Sequence, residues 1–324
     1  MRSLKKILVI QTAFIGDAIL ASSLLESIYA SDSSAEIHLL LRNGNESLYE
    51  NHPFLKRVWV WNKTQKYRSM ASIISAIRNE KFDEVVNLQR FFSSGLITSL
   101  SGAKKKFGFS KNPLSFLFTK SFEHSLGAQG DLGYKHEVER NYAVIASRFK
   151  RFVKQPKLYP SANQYEKVKQ FQTQKYLTIS PASVWFTKQW PQENWVALIN
   201  KKSAIKIYLL GAPSDKDYLL KIQSSSAGNT EVLAGELSLL ESAALMKSAE
   251  MNYVNDSAPL HLASSMNAPV TAVFCSTIPE FGFGPLSDKS HVWQESKNLE
   301  CRPCGIHGFK SCPKGHFKCA KVSL

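Results

Sequence analysis

Short apolar runs of strand length alternate with helix-spaced segments along this chain, and that rhythm constrains the fold more than any other feature. In the first half the runs are ILVI at 7–10, EIHLLLR at 36–42 and EVVNL at 84–88. Between them, residues 18–30 and 69–79 carry apolar side chains at helical spacing. Strands separated by crossover helices pair in parallel, and a parallel sheet is covered on both faces, which is why its strands read as nearly unbroken apolar runs. A polar, glycine-containing passage over 121–134 predicts a long loop, and a helix is expected over 137–149. The Lys/Pro-bearing stretch 150–161 is the expected linker. Beyond it the alternation restarts, with strands at 176–180, 205–211, 252–255 and 270–275. Helices are expected at 192–200, 215–223, 239–247 and 259–265. Two doubly wound α/β domains, 1–155 and 156–324, account for the whole pattern, and 324 residues suffice for two cores.

No apolar run reaches the roughly 18 residues a membrane-spanning helix needs. The N-terminal MRSLKKILVI leads straight into structure without a small-residue cleavage site, so a cytoplasmic address is expected. The formal net charge is +15, a balance that favours polyanionic partners: nucleic acid, an anionic membrane or a phosphorylated substrate. One tight knot sits at Lys104–Lys106, with further cations at Lys63, Lys66, Arg68, Lys111 and Lys120. Charge alone is equally consistent with a solvated surface.

The stretch QTAFIGDAIL at 11–20 lies where a first strand passes into a first helix. Nucleotide-binding chains often place a glycine-rich, uncharged turn at that junction, so that phosphate can approach the backbone. Here there is one glycine, Gly16, and beside it a carboxylate, Asp17. Without G-x-G-x-x-G a dinucleotide-dependent dehydrogenase is disfavoured. A carboxylate in a first helical turn serves the helix dipole, or it does chemistry.

Two segments of the second half face one sheet edge. NDSAPLHLAS at 255–264 ends a strand, offers Asp256 and Ser257 as N-caps, and starts a helix with Pro259 in its first turn. Open α/β sheets bind ligands at these carboxyl ends, and a helix N-terminus there suits a diphosphate. SPASVWFTKQWP at 180–191 also follows a strand and brings Lys188 to that edge. Plain capping by Asp256 and a solvated Lys188 are the alternatives.

FIGD at 14–17, KQWP at 188–191, Gly211 after a strand and DSAPLHLAS at 256–264 occur in an order that resembles glycosyltransferase family 9, the ADP-heptose:lipopolysaccharide heptosyltransferases. GAKKKFGF at 102–109 and ERNY at 139–142 extend the resemblance over nearly the whole chain. The resemblance implies a GT-B architecture: two facing Rossmann-like domains, an acceptor-binding one first and a nucleotide-sugar-binding one second, with a cleft between them. It implies an inverting transfer of heptose from ADP-heptose to a phosphorylated lipid A–core acceptor, on the inner face of the inner membrane, by a peripheral protein. In such an enzyme Asp17 would be the general base, kept ionised by the helix N-terminus. Ser183, Lys188, Asp256, Ser257, Ala258 and His261 would contact the donor, with Asp215 on the ribose. Lys63, Arg68, Arg90, Lys104 and Lys106 would meet the acidic acceptor. No cofactor is needed if Lys188 and the helix N–H groups compensate the leaving diphosphate. Position 258 departs from the family, which usually places glycine there; the added methyl bears on donor identity.

Four of the five cysteines, Cys301, Cys304, Cys312 and Cys319, cluster with His307 and His316 in the tail. In a cytosolic protein such a set suggests a structural zinc site, or else redox-labile or unligated thiols. Cys275 lies in an apolar strand and reads as core. Transferases of this architecture usually finish with a helix that crosses back to the first domain. Nothing after Cys319 could form it, so either the tail replaces that brace or the cleft is held less firmly. Two rivals remain: a family 9 transferase with another sugar nucleotide or acceptor, and a basic nucleic-acid-binding protein with a zinc tail. The latter should interleave aromatics with basic residues on one surface; Phe107 and Phe109 supply only a fragment of that pattern, so no nucleic-acid partner is expected.

Overall fold

The computed structural model describes residues 5–64, 66–126, 136–295 and 299–322. The chain divides into two compact units, Met1–Tyr159 and Pro160–Leu324. The first contains β1 (Lys6–Ile10), α1 (Ile15–Ser31), β2 (Glu36–Arg42), β3 (Leu55–Trp61), α2 (Lys66–Glu80), β4 (Glu84–Asn87), α3 (Phe92–Leu100), β5 (Lys105–Phe109), β6 (Lys120–Phe122) and α4 (Glu137–Ala143). The second contains α5 (Ala162–Val168), β7 (Tyr176–Ser180), α6 (Gln192–Lys201), β8 (Lys206–Leu209), α7 (Lys216–Ser225), β9 (Thr230–Val232), α8 (Leu239–Ser248), β10 (Met251–Asn255), α9 (Ala258–Ser265), β11 (Val270–Phe274) and β12 (Ser290–Gln294).

Each unit is built on a six-stranded sheet, ordered β3-β2-β1-β4-β5-β6 in the first and β12-β11-β10-β7-β8-β9 in the second. All ten strand pairings are parallel. Counted within its own unit, the second sheet repeats the strand order of the first. The order reverses between β1 and β4 in one sheet and between β7 and β10 in the other. Those reversals open the crevices where such sheets bind ligands. The sheets are buried along most of their strands, as the unbroken apolar runs require: Ile7 to Ile10 and Val270 to Phe274 are all buried.

Several strands escape the sequence pattern. β3 reads LKRVWVW, and its Lys and Arg mask the alternation; Arg57 instead covers the Trp59 ring, 3.8 Å from its centroid. β5 begins inside the basic knot at Lys105. The loop expected over 121–134 starts within β6, and its residues 127–134 lie outside the described residues. The helix expected over 137–149 ends as α4 at Ala143 and continues as turns.

The expected linker is not a free connection. Val153 and Lys157 donate their N–H groups to Ser27 and Ser22 of α1, and Ser23 donates back to the Val153 carbonyl. Tyr159 donates its hydroxyl to Glu26 at 2.7 Å. Small hydroxyl side chains on α1 thus accept a crossing chain, and the division falls after Tyr159 rather than after 155. Among the described residues no helix is long and apolar enough to cross a membrane.

Candidate active site

Asp17 occupies the first turn of α1, directly after the carboxyl end of β1, at the reversal point of the first sheet. Its Oδ2 accepts the Phe14 N–H at 2.9 Å, closing the helix start. The residue as a whole keeps partial access to solvent, while its carboxylate is enclosed. The expectation that the helix N-terminus keeps it readily ionised is corrected by its surroundings. Burial, with the nearby Glu137 charge, raises its pKa to about 7, against the opposing pull of the Phe14 N–H and Arg90. Desolvation outweighs the backbone N–H groups at the helix start.

Glu137 was missed as a site residue. It opens α4, which packs on α1, and it is buried. His124 Nε2 stands 3.2 and 3.0 Å from its two oxygens, and Arg140 Nε donates to Oε2 at 2.8 Å. Burial would raise its pKa, but His124 and Arg140 overcome that and hold it down at about 2. The Glu-x-x-Arg spacing within ERNY's own helix was the available signal, since residues three apart share a helix face.

The cations proposed for the acceptor divide between two edges of the sheet. Arg90 follows β4, beside β1, and acts on the Asp17 charge. Lys63 follows β3, with its ammonium 5.0 Å from the Trp61 ring centroid, and Arg68 lies exposed at the start of α2. All three belong to the carboxyl edge. Lys104 and Lys106 do not. Lys104 precedes β5 and pairs with Asp83 at 2.6 Å, and Lys106 is the second residue of β5. Strand direction, which a charge count does not reveal, places that knot at the amino edge, away from Asp17.

In the second unit Lys188 follows β7 and Asp256 follows β10, both at the reversal point. Their side chains meet at 2.7 Å, with 15% and 8% exposure. Lys188 is therefore not the solvated cation of the sequence reading, and Asp256 is not the cap of α9. A carboxylate this buried requires a partner, and Asp256 also accepts the Thr277 hydroxyl at 2.6 Å. The N-cap of α9 is Ser257, whose side chain makes no capping bond, so the helix presents its N-terminus next to the ion pair. Ala258 is the first helical residue, and its backbone is ordinary helix that tolerates a methyl group. His261 is buried one turn further in.

Asn255, also missed, organises this edge. Its Nδ2 donates to the Pro181 carbonyl at 2.7 Å and its Oδ1 accepts the Trp190 N–H at 3.0 Å, tying both ends of the Lys188 loop to β10. Ser183 lies in that loop, and its carbonyl accepts from Gln189. Asp215 stands at the carboxyl edge after β8, where its Oδ2 caps the Ala212 N–H at 2.8 Å.

The tail cysteines are all free thiols. Cys301 Sγ lies 3.8 Å from His316 Nε2. Among the described residues, no three of the tail ligands lie within 4.8 Å of one another. The trio that does, Glu36, His38 and Glu80, already holds the Lys6 ammonium, 2.6 Å from Glu80 and 3.5 Å from Glu36. Phe317, Ala320 and Val322 pack into the core of the second unit. Cys275 is fully buried there, as expected, and burial pushes its thiol pKa up.

Known proteins share this organisation. The chain is 26% identical over 282 residues to lipopolysaccharide heptosyltransferase 3 of Escherichia coli, covering 82% of each chain. It is 26% identical over 295 residues to lipopolysaccharide heptosyltransferase 1 of Campylobacter coli, covering 84% of each. The solved E. coli ADP-heptose lipopolysaccharide heptosyltransferase II superposes with a TM-score of 0.77 at 20% identity, over 92% of this chain and 95% of that one, and shares the GT-B fold. The model of glycosyltransferase family 9 (heptosyltransferase) matches residues 70–307, and the chain belongs to that family of glycosyltransferases.

Proposed function

We propose that this glycosyltransferase moves a heptose from ADP-heptose onto a hydroxyl of a phosphorylated lipopolysaccharide inner-core acceptor, with inversion at the anomeric carbon. The observation that carries the reading is the Lys188–Asp256 pair beside the uncapped N-terminus of α9. There the ammonium and the backbone N–H groups that open α9 share one carboxyl edge of the sheet, the edge suited to a diphosphate.

In the proposed step Asp17 takes the proton of the acceptor hydroxyl as its oxygen attacks the anomeric carbon. The bond from that carbon to the diphosphate oxygen breaks, and its electron pair leaves with ADP. A carboxylate with a pKa of about 7 is matched to this task at neutral pH, and such a base contributes roughly 10²–10⁴-fold. Charge developing on the departing diphosphate meets Lys188 and the α9 N–H groups, so the step as proposed routes through no metal ion.

Arg90, Lys63 and Arg68 are the cations placed to meet an acidic acceptor. Phe14, Phe91 and Phe92, 54%, 50% and 57% exposed, lie on the same edge and suit an acceptor carrying lipid. We place the protein accordingly as a peripheral one on the cytoplasmic face of the inner membrane, with no nucleic-acid partner. Turnover of defined sugar nucleotides on purified core acceptors tests the reading. Product from ADP-heptose is expected; turnover only with another nucleotide sugar overturns the donor, and the methyl of Ala258 is then the first residue to revert to glycine.

For the tail we propose that Cys301, Cys304, Cys312 and Cys319, no three of which stand within 4.8 Å of one another here, would close on a structural zinc ion when one binds. Burial would raise the Cys312 thiol, but backbone N–H groups of Phe317, Lys314, Gly315 and His316 outweigh it and lower its pKa, whereas burial raises Cys304 and pushes Cys319 up to about 11, so a bound metal would have to displace the protons of those two. Gly305 and Gly315, at φ +73° and +69°, give the backbone the tight turns such a site uses.

A further inference from the structure

The segment 302–309 runs across the loop that carries Lys188 and the segment that follows β11, whose Thr277 holds Asp256. Cys304 donates its N–H to the Ser276 carbonyl at 2.8 Å, and Ser276 donates its N–H to the Thr187 carbonyl at 3.2 Å. Thr187 and Phe309 exchange two bonds: Thr187 N–H to the Phe309 carbonyl at 3.1 Å, and Phe309 N–H to Thr187 Oγ1 at 2.8 Å. Ser276 Oγ donates to the same Thr187 oxygen at 3.0 Å. Thr187 and Ser276 are buried, so water does not replace these partners. At the other end the Arg302 guanidinium donates to the carbonyls of Phe274, Cys275 and Thr277, and Thr277 in turn holds Asp256.

Gly308 brings this strap against the lysine itself. Its φ is +77°, and a Cβ built on it would stand 2.9 Å from Thr187 Oγ1, 3.0 Å from Lys188 Cγ and 3.3 Å from Ser276 Oγ. Only a residue without a side chain lets the strap lie flat on the lysine stem. A long flexible side chain loses rotamer freedom when it binds a ligand, and less is lost when packing already holds it.

We propose that the strap 302–309 sets the reach of Lys188 toward the diphosphate of a nucleotide, with Gly308 and Thr187 as positioning residues. The proposal rests on Lys188 being the diphosphate anchor. The strap supplies no ligand of its own; it fixes where the ammonium stands, from the back of the loop.

Calorimetric titration of the full chain with ADP tests it. Gly308→Ala is expected to weaken ADP binding about tenfold, the loss of one well-placed charged contact. Gly44→Ala carries a left-handed backbone cost at φ +95° but has nothing within 4 Å of its Cβ, and it is expected to leave affinity unchanged. Thr187→Val removes the acceptor for Phe309 and weakens binding; Thr187→Ser, which keeps the oxygen, restores it. In a Lys188→Ala background Gly308→Ala is expected to add no further loss, because the strap acts through that lysine. Wild-type affinity in both Gly308→Ala and Thr187→Val, or an equal additional loss without Lys188, overturns the proposal. Failure of the wild-type chain to bind ADP overturns the diphosphate reading beneath it, a result distinct from either.

Discussion

Asp17 and Glu137 are neighbouring carboxylates with opposite proton affinities: Asp17 is raised to about 7 and Glu137 is held at about 2. Burial penalises both, and only Glu137 has His124 and Arg140 against its oxygens. Divergent environments of this kind are what the proposed acid–base role of Asp17 requires, with Glu137 as its fixed charged neighbour.

The rate should report that difference. kcat/KM is expected to rise with pH through about 7 and then level, as Asp17 loses its proton. Glu137→Gln removes a charge that raises the Asp17 pKa and should move the limb to lower pH. Arg90→Gln removes one that lowers it and should move the limb up. Asp17→Asn should abolish transfer while ADP affinity persists. A profile flat through neutrality in the wild-type enzyme would refute the assignment.

Stability should follow the same proton with the opposite sense. The folded state holds the Asp17 proton more tightly than the unfolded chain does, so its stabilising contribution is complete below the usual carboxylate pKa of 3.8 and is lost as pH rises through about 7. Asp17→Asn should therefore melt higher than wild type above neutrality, with the gap closing on acidification. Equal melting temperatures at all pH values would count against burial as the cause.

At the second sheet, Lys188→Ala should weaken ADP by about 10–100-fold, the range for a charged hydrogen bond. Direct titration measures it, and unchanged affinity would remove Lys188 from the diphosphate site.

Asn255→Leu should destabilise the protein by about 1–3 kcal/mol for each buried backbone group it orphans, the Trp190 N–H and the Pro181 carbonyl. Denaturant melts give the value; a loss of only a few tenths would mean that the loop closes without it.

For the tail, metal analysis of purified protein should find about one equivalent of zinc, one ion on four thiolates. A Cys301→Ser, Cys304→Ser double variant should lose it. Less than half an equivalent in carefully handled wild-type protein would dispose of the site.

Much of this was legible from residue order. The apolar runs at β1, β4, β7, β10 and β11 declared parallel strands because strands covered on both faces cannot alternate. FIGD and DSAPLHLAS fell at strand-to-helix junctions, where geometry alone concentrates ligand sites. What was hidden depends on distance in sequence. The proton affinity of Asp17 is set by burial and then by Glu137, far along the chain, and the Lys188–Asp256 contact joins two crossovers. Lys104 and Lys106 misled because composition counts cations without the direction of the strand that carries them. The Arg302 and Gly308 contacts could not be foreseen, since a glycine in a loop looks the same whether it faces solvent or a lysine stem.

Both sheets thread their strands in one order, so corresponding loops carry different chemistry: Asp17 and Lys188 each follow the first strand of their unit, and Arg90 and Asp256 the fourth. Such a plan makes the halves modular in evolution. If the first unit takes the acceptor as proposed, substitutions after β1 and β4 would retune which hydroxyl is taken without disturbing the loops after β7 and β10, and a lineage would exchange one specificity while inheriting the other intact.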